Sequence, residues 1–152
     1  MGAQSLGHVA SQPTCLSNRC RAFRQNTLRP VIDTRPFLNL RLQGGFVIAE
    51  IEFTDEPMVD ALGREAAAQT RITGREFRLL IRGGLPDDEL SITLYHEILE
   101  AATVANLAPP PGVAEFNEGA FERAARAAHQ QWGRATPVSL DQLLQFHGFQ
   151  GD

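Results

Sequence analysis

Three residues in one stretch, Asp87 to Ala105, could carry chemistry: His96, Glu97 and Glu100 stand among apolar neighbours there. The stretch reads as a helix, in which residues four apart lie one above the other on the same face. His96 and Glu100 have that spacing, and Glu97 falls at the edge of their face. An imidazole and a carboxylate stacked in this way can share a metal ion, leaving the next carboxylate to handle a proton. Leu94, Ile98, Leu99 and Ala102 indicate that the helix is largely buried. Buried polar groups need partners, because an unpaired buried charge is costly.

Downstream, Asn117-Glu118-Gly119-Ala120-Phe121-Glu122 opens another helix, with two more carboxylates four residues apart. All of these residues also have plainer readings. Glu97 and Glu100 can be the solvated edge of a helix, and His96 a core histidine with a backbone partner. Glu118 and Glu122 can cap their own helix or pair with Arg123 or Arg126. Of the other histidines, His129 lies on nearly the same helix face as Glu118 but three turns away. It is a ligand only if the helices cross near it. His8 and His147 read as surface residues. Trp132, Phe121 and Phe116 read as core. Tyr95, next to His96, points away from the face that carries the polar trio and receives no catalytic role.

Elements must position these groups. Phe37 to Leu42 alternates with period two and Gln43-Gly44-Gly45 breaks the run, so a hairpin into the strand Phe46–Phe53 is expected. Thr54-Asp55-Glu56-Pro57 looks like a helix start, followed by Met58, Val59, Leu62, Ala66 and Ala67 at helical spacing to about Thr70. Glu76–Arg82 is a second firm strand, ended by Gly83-Gly84. Pro86 and the acids after it open the central helix, which runs to about Asn106. Pro109 to Gly112 is expected to be a stiff, non-helical connection. A helix from about Ala120 to Trp132 follows, stopped by Gly133. A short terminal helix spans Ser139 to Phe146, with Ser139 as its N-cap. The order is that of an α+β fold, a small twisted sheet with helices packed against it.

Composition bounds the possibilities. A chain of 152 residues that is 43% hydrophobic and 21% charged is long enough for a core without staples. No apolar run approaches the roughly 20 residues of a membrane span, so no membrane partner is expected. Residues 1–32 hold Arg19, Arg21, Arg24 and Arg29 and no acid, and are expected to be a disordered extension; one domain is expected over 33–152. The remainder carries 10 Arg against 18 acids, and such an acidic body argues against nucleic acid as a partner. Cys15 and Cys20 have no second pair to complete a zinc ligand set. There is no G-x-S-x-G elbow, phosphate loop or dinucleotide glycine pattern.

The strand, the turn and a helix reading Thr93-Leu94-Tyr95-His96-Glu97-Ile98-Leu99-Glu100-Ala101 resemble the active-site segment of zincin metallopeptidases. In that family H-E-x-x-H supplies two zinc ligands and a glutamate that polarises water. Here His96 and Glu97 match, and Glu100 stands at the second ligand position. Asn117-Glu118 with Glu122 is similar to the motif by which gluzincins add a glutamate ligand. The resemblance implies His96, Glu100 and Glu118 as metal ligands, Glu97 as general base, and Glu122 orienting His96. It implies a hydrolase of peptide or amide bonds with one divalent metal. Zinc is the first expectation and manganese or iron the alternatives, since a shell of one His and two carboxylates is harder than two His and one. The competing expectation is a non-catalytic module without metal that binds a protein partner. A cytoplasmic location is expected in either case.

Overall fold

The computed structural model describes residues 32–151. Among the described residues, three strands and four helices make an α+β architecture, as expected. Strands β1 (Val47–Thr54), β2 (Ala68–Thr73) and β3 (Glu76–Arg82) form one mixed sheet in the order β1-β3-β2. The central strand β3 pairs parallel with β1 and antiparallel with β2, to which the turn at Gly74 joins it (φ 61°). Phe77, Leu79 and Ile81 of β3 are buried on one face, while Glu76 and Arg78 point to the other. This alternation follows from the two-residue period of a strand. On the buried face Ile48 and Ile72 flank Phe77, and Ile51 and Thr70 flank Leu79.

Helix α1 (Asp87–Ala105) lies between the sheet and the remaining helices, touching β2 on one side and α3 and α4 on the other. Twelve of its nineteen residues are buried, so it is a core helix without a broad polar face. Its first turn carries Asp87, Asp88 and Glu89, which favour the positive end of the helix dipole. After α1 come α2 (Pro111–Ala114), α3 (Glu118–Trp132) and α4 (Pro137–Phe146). Asn117 caps α3 by accepting a hydrogen bond from the Ala120 amide at 2.9 Å. Gly133, at φ 76°, ends that helix as expected.

Several expectations are corrected. The strand over 37–42 does not form: Arg35–Phe37 is a 3-10 turn, Asn39 is left-handed (φ 61°), and only Arg41 bridges to Val47. The glycine pair does reverse the chain, with Leu42 N bonded to Phe46 O at 2.7 Å. The helix expected over 57–70 is absent. The Thr54 hydroxyl caps a turn by accepting from the Glu56 amide, and Asp60 accepts from the amides of Leu62 and Arg64. These side-chain bonds, with Gly63 at φ 77°, close a turn over 58–67 whose arms meet at Val59 and Glu65. From Ala68 the chain pairs with β3, and that ladder overrides the helical spacing of the alanines.

Pro111 begins the helical turn α2 instead of prolonging a non-helical connection. The N-cap of α4 is Thr136, not Ser139. Their side chains form a reciprocal capping box, so the helix starts two residues earlier. The extension expected over 1–32, with Cys15, Cys20 and His8, lies outside the described residues except for Ile32, which is buried. Among the described residues no helix is long and apolar enough to cross a membrane.

Candidate metal centre

The ring of His96 projects from the middle of α1 and is almost fully buried. Its two nitrogens meet different partners. Nδ1 lies 3.2 Å from Glu122 Oε2, one turn into α3. Nε2 lies 3.4 Å from Glu100 Oε2, one turn along α1, and 3.2 Å from Glu118 Oε1, at the first residue of α3. The i,i+4 spacing within each helix therefore brings Glu100 beside His96 and sets Glu118 and Glu122 on one face of α3. Packing of α1 on α3 turns the two faces together.

Glu97 lies beside this group: one ligand atom each from His96, Glu97 and Glu100 falls within 4.8 Å of the others. Thr70 of β2 donates a hydrogen bond from Oγ1 to Glu97 Oε2 at 2.6 Å. Burial nonetheless pushes the Glu97 carboxyl above the usual carboxylate range, against the opposing pull of Thr70 and His96. Burial disfavours the charged imidazole as well, but the neighbouring carboxylates of Glu100, Glu118 and Glu97 outweigh it and raise His96 to about 9.

The structure thus brings together all five residues that the sequence singles out. It also shows that the plain and chemical readings of Glu122 coexist. Its Oε2 faces His96 while its Oε1 accepts from Arg126 Nε at 2.8 Å. Arg126 in turn reaches Glu89 at 3.6 Å and does not line the groove in front of the ring. Thr70 is the residue that sequence reasoning misses. Its partner is 27 positions away, and its segment reads as the end of a helix, so no local signal points to it.

The separation of the donors bears on whether a cation fits. Zinc bound at about 2.0–2.2 Å to nitrogen and oxygen in a tetrahedron sets neighbouring donor atoms roughly 3.3–3.6 Å apart. The 3.2 and 3.4 Å from Nε2 to the two carboxylates lie close to that range. Nδ1, held by Glu122, leaves Nε2 as the nitrogen facing the two acids. Donors at these separations from one nitrogen are compatible with a shared divalent ion, and equally with an imidazolium held between two acids.

The remaining candidates have structural roles. His129 is not part of this cluster: its Nδ1 lies 2.9 Å from Ser91 Oγ and its Nε2 3.6 Å from Asp88. The set Ser91, His129 and Asp88 has the composition of a hydrolytic triad, yet Ser91 is fully buried and its oxygen accepts the Ala135 amide at 2.8 Å. No substrate can reach that oxygen, and the three tie α1 to α3 and to the segment before α4. Tyr95 is buried, with its hydroxyl 3.0 Å from Gly133 O and 2.8 Å from Ser139 Oγ. His147 is not a surface residue as expected. It is half-buried against Phe116 and Phe146, and burial pushes its pKa down. Phe121 is core, as expected, and packs on the His96 ring.

The cluster opens on a groove of about 800 Å³ between α1 and the 58–67 turn with β2. That volume is within the range of small-molecule and peptide sites. No protein-family model matches this chain, and no curated protein or solved structure matches it.

Proposed function

We propose that this chain is a metal-dependent hydrolase of peptide or amide bonds, with one divalent ion held by His96, Glu100 and Glu118 and with Glu97 as general base. The observation that carries the reading is the convergence of two carboxylates, from two helices, on one nitrogen of a buried ring whose other nitrogen is already bonded. A divalent ion, zinc first and manganese or iron as alternatives, supplies the Lewis acidity that activates water and polarises a carbonyl. The residues of the chain do the rest. Glu122 holds the His96 ring in register. Thr70 fixes the direction of the Glu97 carboxylate, and Glu97 accepts the proton from the attacking water and passes it to the leaving amine. Burial shifts its carboxyl upward, the direction that helps a group which takes a proton and later gives it back.

The groove also offers main chain. Arg82 N bonds to Ala67 O at 2.8 Å, which makes Ala67 and Arg82 a hydrogen-bonded pair of the antiparallel ladder. By alternation Ala68, Thr70 and Ile72 turn their amides and carbonyls away from β3. An extended peptide can pair with that edge and pass over His96 and Glu97. A cytoplasmic location is part of the same proposal.

One observation favours a second reading, a non-catalytic module that binds a protein partner. The same distances satisfy an imidazolium neutralised by its acids, the state that a His96 pKa of about 9 describes. Metal content decides between them. The wild type and His96→Ala are purified side by side without chelators and analysed for bound metal. Near-stoichiometric metal that disappears in the variant is expected, and Glu97→Gln should then keep the metal and lose peptide hydrolysis. No metal in the wild type, even after incubation with Zn²⁺, Mn²⁺ and Fe²⁺, would sink the hydrolase reading.

A further inference from the structure

Beside the titratable cluster, the groove has an apolar wall that the proposed chemistry does not use. Leu62 at the tip of the 58–67 turn, Val59 on its first arm and Val104 near the end of α1 are 77%, 55% and 67% exposed. All three line the same groove as His96 and Glu97. Val104 follows Glu100 by four residues, so this wall begins one helical turn, about 6 Å, beyond the carboxylate. Large aliphatic side chains grouped in the open beside polar groups mark a place where another apolar group is received.

The charges of the groove limit what can be received. Arg64, its Nε held by Asp60 at 2.7 Å, and His96, faced by Glu100 and Glu118, are the basic residues among its described lining. The other charged lining groups, Glu65, Glu97, Glu100, Glu118 and Glu122, are all acids. A divalent ion cancels only two of those charges. Acids outnumber the basic groups of the lining, so away from the ion a free carboxylate or an acidic side chain would meet net repulsion.

We propose that the groove selects an internal stretch of polypeptide, uncharged or basic, with one apolar side chain seated against Leu62, Val59 and Val104, and rejects a chain end bearing a free α-carboxylate. This specificity rests on the hydrolase reading for its consequence, cleavage, but its binding step can be measured separately. The protein used is Glu97→Gln incubated with Zn²⁺, which keeps the groove and removes the proposed base. The probes are three fluorescein-capped peptides read by anisotropy: one amidated with a central leucine, one amidated with a central aspartate, and one ending in leucine with a free carboxylate.

The amidated leucine peptide should bind at least about tenfold more tightly than either of the others, through partial burial of one aliphatic side chain against the aspartate peptide and through absence of the repelled carboxylate against the free acid. Adding Leu62→Asp and Val104→Asp, both at exposed positions, should erase the preference while circular dichroism stays unchanged. Equal binding of the three probes, tightest binding of the free acid, or a preference indifferent to the two aspartates overturns the proposal. So does a dimer that the same two substitutions dissociate, in a protein showing no peptide preference, because a second copy would then be what covers the wall. Zinc content of the same sample separates the two ideas. Leucine preference without bound zinc retires the metal centre and keeps the groove, and bound zinc without preference does the reverse.

Discussion

Glu100 is the residue on which the chemistry of the cluster turns. With His96 and Glu118 it would make a donor set whose charge cancels that of a divalent ion, so water at the proposed centre would be acidified less than at one with two imidazoles. Glu100→His should therefore tighten zinc binding by about tenfold or more, measured by competition with a chromogenic chelator, and shift the preference among metals away from manganese. Protonation of the cluster gives a second expectation. In metal-free protein both His96 and Glu97 bind protons more tightly than in the unfolded chain. The contribution of His96 is complete below about 6.5 and is lost as pH rises through about 9. That of Glu97 is lost in the same direction, above the ordinary carboxyl range. Thermal melts in chelator should thus show a Tm that falls between pH 6.5 and 9, and His96→Gln should flatten the slope. At this scale the sequence is informative wherever spacing within one helix suffices, as for His96 with Glu100 and for Glu118 with Glu122. It is silent on Thr70, whose meeting with Glu97 exists only once β2 lies along α1.

At the scale of elements, α1 and β3 are legible because their own residues decide them. A long apolar segment opened by proline and acids has no competing conformation, and the alternation of Phe77, Leu79 and Ile81 in β3 is bounded by glycines at both ends. The 54–70 segment misleads because its cues are shared. Threonine, acids and proline start helices and also turns, and here Asp60 and Gly63 commit the chain to a turn. Residues 68–73 are a strand only because β3 offers them a partner. Tyr95 illustrates the opposite case of a side chain with a local signal and a distant task, since its hydroxyl joins α1 to the end of α3 and the start of α4. Tyr95→Phe should cost roughly 1–2 kcal/mol in urea unfolding, because it leaves buried partners without their bond. Leu99→Ala, at a fully buried site of the same helix, should cost about 2–5 kcal/mol through the cavity it opens. Neither change should alter the zinc stoichiometry of folded protein.

For the whole molecule, the arrangement that matters is the meeting of α1 and α3 at one ring. Glu118 and Glu122 come from one helix and His96 and Glu100 from the other, so an ion there would join two segments that the chain itself connects through residues 106–117, which include α2. An ion bound by the native state alone stabilises it by mass action, about 2.7 kcal/mol at a free concentration one hundred times the dissociation constant. Addition of Zn²⁺ should raise the Tm by several degrees in the wild type and leave that of His96→Ala unchanged, as read by differential scanning fluorimetry. In a cell the same coupling would make the lifetime of the protein a function of metal supply. Copies made during scarcity would unfold more often and be cleared by proteases sooner, so abundance itself would report the ion.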